Sequence, residues 1–141
     1  MAETLKGLAK VLRDLERFGK EVDKDVDAIT EANAREIEVK AKQRAPVDLG
    51  KLRQSIGTVR RAEKSYSVVA NAPYAAFQEF GTGNLVSVPP ELQSIAIQFR
   101  GRGVKMVNIP PQPFLFPAFV TQRQQYLEDL QDLLERESKR V

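Results

Sequence analysis

The 141-residue chain carries 22 basic and 19 acidic side chains, a formal charge of +3, and its 42% hydrophobic content suffices for one small core. With no cysteine and no histidine, disulfides, thiolate nucleophiles, most zinc sites and the commonest general base are excluded. No apolar run approaches the roughly 20 residues of a membrane span, and the opening MAETLKGLAK has no apolar signal core, so the expected place of synthesis is the cytosol.

From the N-terminus, Leu5, Leu8, Leu12 and Leu15 repeat at helical spacing, with Val11 and Phe18 widening the stripe. They predict an amphipathic helix over about residues 4–18, with Thr4 as N-cap and Gly19 as a bend or stop. A second helical run follows, carrying Val22, Val26, Ile29, Asn33, Ile37 and Ala41 on one face. Its acids come early (Glu21, Asp23, Asp25, Asp27) and its bases late (Lys40, Lys42, Arg44), as the helix dipole favours. Four acids spaced two apart point in different directions on a helix, so they are expected to form a solvated face rather than a metal cluster.

The stretch APVDLGKLRQSI, residues 45–56, punctuates the chain. Pro46 cannot continue a helix, Asp48 is suited to an Asx-turn, and Gly50 tolerates φ > 0. Pro46, Asp48 and Gly50 are therefore the expected structural turn. Residues 52–61 and 66–71 are predicted to pair as strands around a turn at 62–65, with Tyr66, Val68 and Ala70 on one face and Val69 on the other. A short helix is expected over residues 73–80, ended by Gly81 and Gly83, with Tyr74, Phe77 and Phe80 burying one side. Glu79 has no histidine, second carboxylate or nucleophile beside it, so it is assigned a structural role: accepting hydrogen bonds from the following Gly-rich turn. GTG (81–83) is too short for a phosphate loop.

Residues 84–110 form a long, irregular arm, and long connections tend to be functional. Within it a short helix over 91–99 and a strand over 104–109 are expected. The last helix should begin near Pro117 and carry Val120, Gln124, Leu127, Leu130 and Leu134 on the face packed against the domain, with Tyr126 and Leu133 widening it and Gln122, Gln125 and Asp129 on the polar side. A coiled-coil seam to a partner is the alternative use of this helix.

Charge is segregated along the chain. Residues 1–50 carry 10 basic and 11 acidic side chains, residues 51–112 carry 8 and 3, and residues 113–141 carry 4 and 5. A basic middle can meet nucleic acid or an acidic protein surface, and it can equally be solvated charge.

Three blocks, APVDLGKLRQSI (45–56), NAPYAAFQEFGTG (71–83) and PPQPFLFPAF (110–119), occur in the order and spacing of a phage protein family. The chain resembles the tail-completion, or head–tail joining, proteins of siphophages and prophages over roughly residues 28–134. It shows no opening strand before the first helix, and residues 83–110 are longer than in compact members. The resemblance implies a virion protein of the neck or tail, made in the bacterial host cytoplasm and acting by assembly. It would be a ring subunit, most often one of six, that completes the tail and joins it to the head. Implied partners are further copies of itself, the head-side connector, the tail terminator or tube protein, and genomic DNA passing through the channel; no cofactor, metal or membrane is implied.

The expected architecture is a single α+β domain over 1–141: long N-terminal helices, a small antiparallel sheet with a short helix inserted, and a C-terminal amphipathic helix. Leu85, Leu92, Ile95, Phe99, Arg100, Arg102, Lys105, Phe114 and Phe116 are the candidate interface, because so small a domain cannot bury all the apolar residues of the arm. A nucleic-acid-binding module using residues 51–112 is the alternative function, and a carboxylate-based enzyme the third; the absent histidine and cysteine weigh against the latter.

Overall fold

The computed structural model describes residues 2–46, 50–82, 87–93 and 110–139. Its first element is one helix, α1 (Ala2–Arg44), of 43 residues, about 65 Å long at 1.5 Å per residue. The expected break at Gly19 does not occur. Gly19 lies on an exposed stretch, where a Cβ would meet nothing within 4 Å, so its only cost is helix propensity, about 1 kcal/mol. Strong formers on both sides carry the helix through. Ala45 still donates its N–H to the Ala41 carbonyl at 2.9 Å, and Pro46 stands just beyond the helix end, as expected.

Helix α2 (Gly50–Ser55) replaces the first part of the predicted strand. Leu52 is fully buried there, and Arg53 Nη2 donates to the Ala45 carbonyl at 3.2 Å, closing α2 back onto the end of α1. The expectation for Gly50 is corrected: it opens a helix, is exposed, has open space where a Cβ would lie, and has no positive φ. Asp48 lies outside the described residues.

Strands β1 (Ile56–Ala62) and β2 (Ser65–Ala70) pair antiparallel, from Ile56 opposite Ala70 to Ala62 opposite Ser65, with an irregularity between Arg60 and Ala62. Lys64 takes the left-handed conformation (φ 63°) at the hairpin tip. A two-stranded hairpin is marginal alone and needs a packing partner. Here α1 supplies it, lying across both strands, and Val68 and Ala70 face the core as their alternation predicts.

Helix α3 (Ala75–Phe80) is shorter than expected, with Tyr74 as its N-cap residue. Gly81 ends it at φ 79°, ψ −177°, donating to the Phe77 carbonyl at 2.8 Å. Phe80 is buried, whereas Phe77 is 42% exposed and does not join that face. Pro90–Leu92 form one 3-10 turn; the rest of the predicted 91–99 helix and the 104–109 strand lie outside the described residues. Helix α4 (Leu115–Ser138) begins two residues before Pro117. The core gathers Ala41, Ala45, Leu52, Ile56, Ala75, Phe114 and Ala118, where the end of α1, α2, the sheet and the start of α4 meet. The fold is α+β, as the sequence implies.

Candidate assembly interface

Glu79 fixes where α4 starts. Its Oε2 accepts the backbone N–H groups of Phe114 (2.8 Å) and Leu115 (3.0 Å), and its Oε1 that of Phe116 (2.8 Å). A helix leaves four N-terminal N–H groups without intrahelical partners. With Phe114 as N-cap, three of the four bond Glu79, and the fourth position is Pro117, which has no N–H to satisfy. The carboxylate also complements the positive end of the helix dipole. The structural role assigned to Glu79 therefore holds in kind, but its donors come from α4, not from the Gly-rich turn. Gln112 N–H adds a bond to the Gln78 carbonyl at 2.9 Å, tying the approach to α4 onto α3.

From that clamp α4 runs antiparallel along α1 through a polar seam. Gln122 donates to Asn33 Oδ1 (2.7 Å) and accepts from Lys40 Nζ (2.5 Å); Asn33 in turn donates to Asp129 Oδ2 (2.9 Å) and to the Ile29 carbonyl. Thr30 and Tyr126 share a hydroxyl hydrogen bond at 2.8 Å. Ala118, Gln122, Leu133 and Glu137 are the buried side chains of α4. The packed face is thus turned from the predicted Val120–Leu134 stripe towards its Tyr126 and Leu133 margin, both of which lie against α1. It includes Gln122 and Asp129, which periodicity assigns to solvent, and buried amides are tolerated because they are hydrogen-bonded across the seam.

This rotation leaves the apolar stripe of α4 outward: Val120, Leu127 and Leu134 are 39%, 52% and 63% exposed. A second stripe lies on the N-terminal part of α1. From the pairing above, Ser138 falls level with about residue 21 of α1, and every residue from Lys6 to Arg17 is exposed. Leu8, Val11, Leu12 and Leu15 are each more than half exposed. About 28 Å of helix therefore projects beyond the packed body as a spur. Burying one such side chain fully is worth about 1.5–3 kcal/mol, and an isolated helix of this length is marginal in water. Two apolar stripes left open are candidate contact surfaces.

A third feature is an open apolar cavity of about 550 Å³ between α1, β2, α3 and α4, lined by Ile37, Val68, Phe80, Leu92, Phe116 and Phe119 among others. Of the candidate interface residues, Leu92 and Phe116 border it, half-buried. Phe114 is 1% exposed and belongs to the core, so it is not at the subunit surface. Leu85, Ile95, Phe99, Arg100, Arg102 and Lys105 lie outside the described residues.

The acidic run on α1 is not wholly a solvated face. Asp27 accepts from the Lys64 backbone N–H (2.8 Å) and the Tyr66 hydroxyl (2.9 Å), and faces Arg60 at 3.7 Å. Asp23 pairs with Lys64 Nζ at 3.0 Å. These donors, led by the Lys64 N–H and then Tyr66, hold the Asp27 carboxyl below its ordinary range. Desolvation and the Asp27 bond push the Tyr66 hydroxyl up. The hairpin tip is thereby clipped to α1, and part of the basic middle is neutralised within the subunit.

Among the described residues no three acidic side chains converge as a metal site, and no helix is long and apolar enough to cross a membrane. Residues 9–81, taking in most of α1 with α2, both strands and α3, match the family described as "Bacteriophage HK97-gp10, putative tail-component". No curated protein and no solved structure matches the chain. The family match spans just over half of the chain, and two of the three sequence blocks fall wholly or largely within it. The chain belongs to the HK97-gp10-like family of phage tail components.

Proposed function

We propose that this structural component of the phage tail is a ring subunit that completes the tail and joins it to the head connector. The observation that carries the reading is the pair of open apolar stripes on α1 and α4 in a chain of this family. A subunit that works by assembly needs such faces, and heterologous contacts that repeat and close generate a ring. Six copies is the number the resemblance implies. One face of the ring would meet the head-side connector, the other the tail terminator or tube protein, with DNA passing through the channel.

The extended arm at about residues 84–110 is proposed as a further contact, with Leu92 and Phe116 at its edge and the apolar cavity beside it. Arg60, Arg61, Arg100, Arg102 and Lys105 are proposed to meet acidic partner surfaces, because a strongly attractive lumen would retard DNA. Native mass spectrometry of the protein, alone and mixed with the connector, tests the ring and the joining role. A closed oligomer that binds the connector is expected. A monomer without affinity for it, together with DNA binding that falls steeply with salt, would replace this reading by the nucleic-acid one.

A further inference from the structure

The spur's apolar face is almost free of charge. Leu8, Val11, Leu12 and Leu15 share one side of α1, and all four are more than half exposed. At about 100° per residue, Lys6, Lys10, Arg13, Asp14, Arg17 and Lys20 lie more than about 110° around the helix from the centre of that stripe. Among residues 6–20, Glu16, about 70° away, is the one charge at its edge. The face also continues an interface that already exists. Thr30, Asn33 and Lys40, which bond Tyr126, Asp129 and Gln122 of α4, point within about 50° of it. Helix α4 therefore fills this side of α1 as far as about residue 21 and leaves the spur beyond it bare.

We infer that the spur pairs with the spur of a second copy of this chain, antiparallel and about a two-fold axis. The direction follows from α4. A parallel partner would carry its own α1 and α4 into the space that α4 occupies beyond about residue 21, whereas an antiparallel one sets the two bodies at opposite ends. The register follows too. Antiparallel heptad packing sets Leu8 of one spur against Leu12 of the other, and Ala2 then falls level with about residue 18, just short of the end of α4. The next layer inward, Leu12 against Leu15, would drive the partner's first turn into α4. Charge is compatible: the two Glu16 carboxylates stand about 18 Å apart along the axis, more than a Debye length. The outer stripe of α4 offers the spur no such relief, because Glu128 and Glu135 edge that stripe where Glu16 edges the spur. Four large apolar side chains from each spur meet, a contact below the roughly 1,200 Å² of stable interfaces, so the pair is reversible. A ring whose members all point the same way cannot contain a two-fold contact. The pair is therefore the form of the free subunit, covering the spur until a ring displaces the partner, and it does not rest on the ring reading.

The sequence holds no cysteine, so a chain given a single cysteine cross-links only between subunits. Leu8→Cys and Leu12→Cys proteins are mixed, oxidised and run without reductant. A disulfide needs Cα atoms closer than about 7 Å, so the mixture should give several-fold more covalent dimer than either protein alone. Leu15→Cys alone should give almost none, because its two copies lie about 15 Å apart along the axis. No excess in the mixture, or Leu15→Cys linking to itself as well as the mixture does, overturns the pairing. Sedimentation equilibrium supplies a second arm without cysteines. The unaltered protein should show a monomer–dimer equilibrium, and Leu12→Asp should weaken it more than about tenfold with the melting temperature unchanged. The absence of a dimer at every concentration, or a dimer that Leu12→Asp leaves intact, overturns the pairing as well. Native mass spectrometry with the connector reads the ring separately. A free dimer without affinity for the connector keeps the pair and removes the ring; a monomer that closes into a ring on the connector does the reverse.

Discussion

Glu79 holds three backbone donors with one carboxylate at a buried helix end. Glu79→Ala leaves those N–H groups without acceptors, and the expected loss is about 1–3 kcal/mol, measured by urea unfolding. Two glycines make a contrasting pair. Gly81 sits at φ 79°, ψ −177°, a region that is essentially glycine-only, so Gly81→Ala should cost about 1–3 kcal/mol. Gly50 opens α2 with open space around it, so Gly50→Ala should leave the melting temperature unchanged or raise it. Asp27 adds a pH dependence at the hairpin. Its carboxyl is depressed in the fold, so its contribution is fully present above the ordinary carboxylate pKa and is lost as pH falls through the lower folded value. Protection of the hairpin amides, measured against the intrinsic exchange rate at each pH, should therefore fall on acidification below about pH 4, and Asp27→Asn should lower that protection at neutral pH and flatten its pH response.

Between elements, the α1–α4 seam is the part of the fold that sequence conceals. The hairpin was legible because Tyr66, Val68 and Ala70 alternate with polar or outward residues, and a sheet face follows from period two alone. The end of α1 was legible in Pro46. Helix α4 was legible in extent but not in orientation. Periodicity places Leu127 and Leu134 inward, whereas the packed face carries Gln122 and Asp129 beside Leu133, the two polar groups satisfied by Asn33 and Lys40 across the seam. Those partners lie 82 to 96 residues away, so no local pattern reveals them. The unbroken α1 is hidden for a related reason: Gly19 reads as punctuation, but on an exposed spur nothing competes with the helix. The seam has its own test. Asn33→Leu removes a donor to Asp129 and the acceptor of Gln122, leaving buried polar groups unpaired, with an expected loss of about 1–3 kcal/mol in thermal or urea unfolding.

At the scale of the whole molecule, body and spur are separable. Residues 6–17 are exposed throughout, so deleting residues 2–17 should lower the helix signal in circular dichroism while leaving the cooperative melt within a few degrees of the original. It should abolish self-association if the spur's open apolar face serves assembly as proposed. A change in melting temperature of more than about 10 °C, well beyond the shift expected for 1 kcal/mol, would mean that the spur stabilises its own subunit. The pairing of α1 with α4 also sets a timetable. The Thr30–Tyr126 and Asn33–Asp129 contacts each join groups 96 residues apart, and a ribosome adds about 5–20 residues per second. For several seconds a growing chain thus exposes the α1 face with no α4 to cover it. The same helix that closes the body also carries one of the two open apolar stripes, so an unfinished chain presents the spur without it. A subunit that needs both faces to extend an assembly, as proposed, therefore cannot extend one until its polypeptide is complete.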